Sequence, residues 1–258
     1  MEDLTSAFLS RRIEEEEILN RAMADFNEAL RIDPANAIAY FQRGEVYMSM
    51  LELDLAIADF TQAIRRNPDF ARAYFRRGVA HWEKDNLERS LADVAQAIGI
   101  DPNLAVAYSW RAFWIHQYGR NINLALALAD YTQAIRLQPN NFWLYERRAE
   151  VHRSMGNNTN AIEDYIQALR LNPDDRLLVN LMSIYHDTGN LARAIDGLTQ
   201  LIRLHPNNVL FYRECAWVYQ RIGNNDQAIA DFETVLRLDP NDTFTRNDLE
   251  RLRQQRRQ

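Results

Sequence analysis

The chain has 258 residues, 47% of them hydrophobic and 26% charged, with 30 basic side chains against 36 acidic ones. That is ample apolar material for a folded core, while a formal net charge of −6 argues against a general nucleic-acid binder, which carries an excess of positive charge. A lone cysteine, Cys215, excludes an intramolecular disulfide, and no apolar run approaches the roughly 18 residues that a membrane-spanning helix needs.

From the N-terminus, residues Met1 to Phe8 lack the basic start and apolar centre of a signal peptide, so a cytoplasmic protein is expected. Then a set of marks appears: small Ala22, aromatic Phe26, Ala29 and finally Pro34. The set returns as Ala56, Phe60, Ala63, Pro68; as Ser90, Val94, Ala97, Pro102; and as Ala127, Tyr131, Ala134, Pro139. It continues as Ala161, Tyr165, Ala168, Pro173; Ala194, Leu198, Leu201, Pro206; and Ala228, Phe232, Val235, Pro240. The seven prolines are spaced by 34, 34, 37, 34, 33 and 34 residues, and the chain has no others. Offsets of three and four keep the marks of each set on one helical face. Each set therefore predicts an amphipathic helix that a proline stops.

Between each proline and the next set a further helix is expected. It carries Tyr40, Tyr74, Tyr108, Tyr145 or Tyr212, followed four residues later by Gly44, Gly78, Ala112, Ala149 or Ala216. Gly119, Gly156, Gly189 and Gly223 end four of these helices, where glycine adopts a left-handed backbone at low cost.

A period of this kind marks stacked helix–turn–helix units. The pattern resembles the tetratricopeptide repeat (TPR), with Gly78, Ala97 and Pro102 among the residues that fall on its small, alanine and proline positions. The resemblance implies an all-α, right-handed superhelical solenoid of seven units, at 3–36, 37–70, 71–104, 105–141, 142–174, 175–208 and 209–242. The first unit has a polar leading helix that includes Glu14 to Glu17. The fourth carries three extra residues near Asn121, Ile122 and Asn123, and one residue is missing around Asp174 and Asp175. Residues 243–258 read as a capping helix, apolar at Leu249 and Leu252 and rich in arginine at its end.

In this family the first helix of each unit lines the concave groove. Positions 2, 5, 6, 9, 12 and 13 of a unit point away from its packing face. Trp82, Trp110, Trp143 and Trp217 fall there, with Phe41, Phe75 and Phe113, and with Arg72, Arg76, Arg147, Arg153 and Arg213. Only Trp114 of the five tryptophans lies nearer the packing side. Aromatics and arginine dominate interface energetics, so these twelve residues are the expected partner-binding surface. The competing explanation is packing between units.

Some relatives clamp the C-terminal carboxylate of heat-shock chaperones. Here Arg72 and Arg76 suit that clamp, while Gln42, Ala7 and Arg11 do not. An acidic or C-terminal peptide is one partner class that the arginines fit. Lys84 is the only lysine in the chain, and base composition of the genome explains that skew most simply.

Among the histidines, spacing forms no metal site, and Cys215 falls on a packing position as a buried thiol. No phosphate-binding glycine loop, nucleophile elbow or zinc-helix motif occurs. The expectation is a scaffold or adaptor protein with no enzymatic activity, cofactor, metal, nucleic acid or membrane. It binds a protein or peptide as a monomer or weak homo-oligomer. The alternative is a self-assembling scaffold.

Overall fold

The computed structural model describes the backbone of residues 2–118 and 123–257, and the side chains of 17–118 and 123–255. The described residues form helices only. The chain divides into two bodies, 1–137 and 138–258.

The first body holds α1 (Glu2–Ile32), α2 (Ala37–Ser49), α3 (Leu53–Arg66), α4 (Ala71–Glu83), α5 (Leu87–Ile100), α6 (Ala105–Tyr118) and α7 (Leu124–Leu137). The second holds α8 (Phe142–Ser154), α9 (Asn158–Leu171), α10 (Asp175–Thr188), α11 (Leu191–Leu204), α12 (Val209–Arg221), α13 (Asn225–Leu238) and α14 (Thr243–Arg257). Helices α2 to α13 pair in sequence as leading and following helices of six units.

The first unit departs from expectation. Residues 3–36 do not make a helix pair, because α1 is one continuous helix over Glu2–Ile32. The stretch contains neither glycine nor proline, so nothing breaks the helix where the other units turn. Gly119 and the extra residues Asn121 and Ile122, assigned to the fourth unit's turn, lie outside the described residues. Before α10, the missing residue shortens the loop to Asn172, Pro173 and Asp174, and the Asp174 carboxylate accepts from the backbone N–H groups of Arg176 and Leu177.

The turns inside the later units use glycine as the pattern implies: Gly156, Gly189 and Gly223 have φ of 75°, 65° and 81°. The second unit uses Leu51 instead, at φ 60° and with 78% of its surface exposed. A side chain with a Cβ is strained there and gains nothing by burial. Leu51→Gly should raise stability by about 0.5–1 kcal/mol, less than the full strain because glycine frees the unfolded chain. Urea unfolding of the two proteins checks it.

Within four units a bidentate ion pair ties the two helices. Arg43 grips Asp59 at 2.6 and 2.8 Å, and Arg77 grips Asp93 at 2.8 and 2.6 Å. Arg111 grips Asp130 at 2.7 and 2.7 Å, and Arg148 grips Asp164 at 2.8 and 2.7 Å. Each guanidinium also lies 5.6–5.9 Å from the ring of the tyrosine three residues earlier. Arg43 and Arg77 donate onward to Asn27 and Thr61, on the following helix of the preceding unit. One side chain thus joins three helices.

The last two units lack this fork. Leu181 and Gly197 stand in its place between α10 and α11, and Cys215 and Asp231 between α12 and α13. The α10–α11 pair is the loosest of the six. Met182 occupies the position where the other units have glycine or alanine, so the helices cannot approach as closely.

Without an arginine, burial raises the Asp231 carboxyl from its ordinary 3.8 to about 6. Its folded value lies above its unfolded one. The stability tied to this group is present below pH 3.8 and lost as pH rises through about 6. Asp231→Asn should therefore stabilise the protein at pH 7.5 by about 1–2 kcal/mol and be near neutral at pH 4, in paired unfolding curves.

Helix α14 closes the second body. Leu249 and Leu252 are buried against Ala228, Ile229 and Phe232 of α13. No helix among the described residues is long and apolar enough to cross a membrane.

Candidate functional site

Two of the twelve expected surface residues are core residues. Phe41 is 5% exposed and packs at 5.7 Å from Phe60 and 4.9 Å from Phe70; Phe75 is 7% exposed among Val79, Val94, Ala107 and Trp114. The helical wheel of one unit cannot show this, because residues of the next unit join each cluster: Ala73 around Phe41, and Ala107 and Trp114 around Phe75. At Phe41 and Phe75 the side chain at the fifth position enters the space between neighbouring units.

The others are half-buried or exposed and fall into local groups. Trp82, Trp110 and Phe113 come together in the first body. Trp110 is 5.9 Å from both Trp82 and Phe113. The wholly buried Trp114 lies beneath them, stacked on Trp82 at 5.9 Å and 5.5 Å from Trp110. Tyr118 completes the nest, edge-on to Trp82 at 5.9 Å. Trp82, Tyr118, Glu83, Asp85 and Leu87 border a cleft of about 290 Å³.

In the second body the expected residues pair by cation–π contact. Arg147 lies 5.5 Å from the Trp143 ring centre and Arg213 lies 5.7 Å from that of Trp217. The Trp217 indole N–H donates to Asp248 of α14 at 3.2 Å. Leading helices α10 and α12, with α14, enclose a cleft of about 550 Å³ lined by Val179, Met182, Glu214, Trp217, Arg221 and Arg251, among others. Burial raises the Glu214 carboxyl above its usual range.

The arginines are mostly committed within the chain. Arg76 pairs with Glu45, Arg147 with Glu150 at 2.8 Å, Arg153 with Asp187 at 3.4 Å and Arg213 with Asp242 at 3.7 Å. Arg72 is exposed, 5.9 Å from the Phe41 ring centre. Sequence reasoning overlooked Val179, Glu214, Arg221 and the α14 contribution of Arg251. The first three occupy positions that face away from the packing side, yet a search for aromatics beside arginine passes over them.

Tetratricopeptide-repeat family matches fall at residues 18–50, 41–105, 144–175 and 209–242. The chain is a tetratricopeptide-repeat protein. No curated protein sequence matches this TPR chain. Among solved structures, the C-terminal part of a TPR repeat-containing protein from Cytophaga hutchinsonii is similar to it. Its TM-score is 0.65 at 15% identity, over 91% of this chain and 96% of that one. YrrB, a TPR protein with an unusual peptide-binding site, is similar at a TM-score of 0.53 and 13% identity, over 87% and 97%. A chain of the APC/C hetero-tetramer Cut9–Hcn1 is similar at 0.53 and 20% identity over 91% of this chain, which spans 46% of its length. These likenesses show the TPR fold.

The described residues contain no cluster of three or more His, Cys, Asp or Glu side chains able to hold a metal. Burial pushes the Cys215 thiol up to about 12, which leaves it unreactive at neutral pH.

Proposed function

We propose that this TPR protein is an interaction scaffold that binds a partner protein or peptide segment on the leading-helix face. Trp82, Trp110 and Phe113 form the anchoring surface of the first body, and Trp143, Arg147, Arg153, Arg213 and Trp217 form that of the second. Arg72 and Arg76 lie on the same helix as Trp82, α4. The observation that carries this reading is the aromatic nest. Three half-buried rings are held against one another and against the buried Trp114, so they offer apolar area already ordered before binding.

The peptide-binding description of YrrB supports the same class of activity for this chain. An acidic partner is supported less well than the arginine count implied, since most of those arginines already hold carboxylates. A mainly apolar segment suits the nest better.

Peptides selected from a random display library on the wild-type protein test the idea. Trp110→Ala or Trp217→Ala should weaken the selected peptides by about tenfold or more in fluorescence anisotropy. Peptides that bind all of Trp82→Ala, Trp110→Ala, Trp143→Ala and Trp217→Ala as tightly as wild type would remove the leading-helix face as the site.

A further inference from the structure

We infer that the first repeat holds an open acceptor site for an amphipathic helix from a partner protein, and that this helix carries a Tyr-x-x-Arg-Gly motif or its alanine equivalent. The site lies on α1 and is independent of the leading-helix face.

Burial sets α1 apart from the following helices of the other units. In the following helices of the six helix pairs, the small, aromatic or apolar, and small or apolar marks are all 0% exposed, from Ala56, Phe60 and Ala63 to Ala228, Phe232 and Val235. A leading helix covers each set. Their counterparts on α1 are Ala22, Phe26 and Ala29, and all three are only half-buried. Because α1 runs on as a single helix, no leading helix of the same unit lies over this face.

Charge identifies what would cover it. In four units the residue just before the aromatic or apolar mark is an aspartate held by an arginine fork: Asp59, Asp93, Asp130 and Asp164. The first unit keeps that residue as Asp25, immediately before Phe26. Asp25 is exposed, and no arginine fork reaches it among the described residues. Every fork arginine belongs to one local pattern: Tyr40 with Arg43 and Gly44, Tyr74 with Arg77 and Gly78, Tyr108 with Arg111 and Ala112, Tyr145 with Arg148 and Ala149.

The small residue has a steric reason. A Cβ on Gly44 would stand 2.7 Å from the Phe60 ring, and α1 presents the same residue type at Phe26. An incoming helix must therefore carry a small residue over Phe26 and an arginine toward Asp25. This is helix-in-groove recognition, with the groove supplied by an unfilled repeat position.

The chain's own α2 sequence, residues 37–49, supplies the probe. It is made as a labelled peptide, stapled on the face away from Tyr40, Arg43 and Gly44 because so short a helix is marginal in water. Anisotropy against the full chain should show saturable binding, unchanged in Trp110→Ala protein. Arg43→Glu in the peptide should weaken it on the order of tenfold, and Asp25→Arg in the protein should restore that peptide.

A scrambled peptide that binds equally well, or a charge swap without rescue, overturns the inference. So does binding that appears only after residues 2–16 are removed, which would make the chain's own segment the occupant. A dimer in light scattering that excludes the peptide would assign the face to a second copy instead.

Discussion

Arg111→Ala should lower the unfolding free energy by about 3–5 kcal/mol, one of the largest losses any single substitution in this chain produces. Asp130 is 3% exposed, and its two oxygens receive Arg111 at 2.7 Å each. Removing the guanidinium strands a carboxylate where water cannot replace its partner. The pairing also holds the Arg111 guanidinium above its ordinary range, through the hydrogen bonds to Asp130 first. The double variant Arg111→Met/Asp130→Leu should recover most of the loss, because two apolar side chains of similar volume carry no desolvation cost. Urea unfolding of the wild type, both single variants and the double variant closes the cycle. A single variant within about 1 kcal/mol of wild type would mean that the fork contributes no more than an exposed pair.

The array itself offers the double replacement as a natural experiment. Leu181 and Gly197 stand where the fork would be in the α10–α11 pair, and the helices still associate, though more loosely. The fork is therefore not required for the two helices of a unit to associate. Its spacing was open to view, since arginine precedes aspartate by sixteen residues in three units and by nineteen in the one with three extra residues. It was overlooked because periodicity arguments sort positions into apolar and polar, and a buried ion pair belongs to neither.

The same limit governs how far the candidate site was legible. Proline spacing and the small and aromatic marks placed the following helices because those residues act within one unit. Phe41 and Phe75 were misplaced because residues of the next unit complete their surroundings: Ala73 joins the cluster around Phe41, and Ala107 and Trp114 join that around Phe75. The cleft beside Trp217 depends on α14 as well as α10 and α12, and no single-unit pattern contains it. The continuous α1 is a matter of absence: a unit that lacks a turn residue keeps its period on one side only. In each case, what the sequence hides is the contact between units.

Trp114→Ala is expected to cost a further 3–5 kcal/mol, about the loss for a large aromatic removed from a core. The side chain is wholly buried and touches both Trp82 and Trp110. Its effect should differ in kind from that of Trp110→Ala. Trp110 is half-buried at the surface of the nest, so its loss should cost less, about 1–2 kcal/mol, while removing contact area from any bound segment. Trp114→Ala should instead change the near-ultraviolet circular dichroism of the nest and weaken binding indirectly, by freeing Trp82 and Trp110 from their fixed orientations.

Trp114→Phe separates the two contributions. The indole Nε1 of Trp114 has no acceptor among the described residues, so replacing it by phenylalanine removes an unpaired donor along with some apolar area. These effects oppose each other, and the variant should stay within about 1 kcal/mol of wild type and keep its peptide affinity. If Trp114→Phe folds well yet loses binding as completely as Trp110→Ala, the buried ring is itself part of the contact surface, and the nest opens on binding. If it binds normally, Trp114 acts only by holding its neighbours, and the surface that a partner meets is the one formed by Trp82, Trp110 and Phe113.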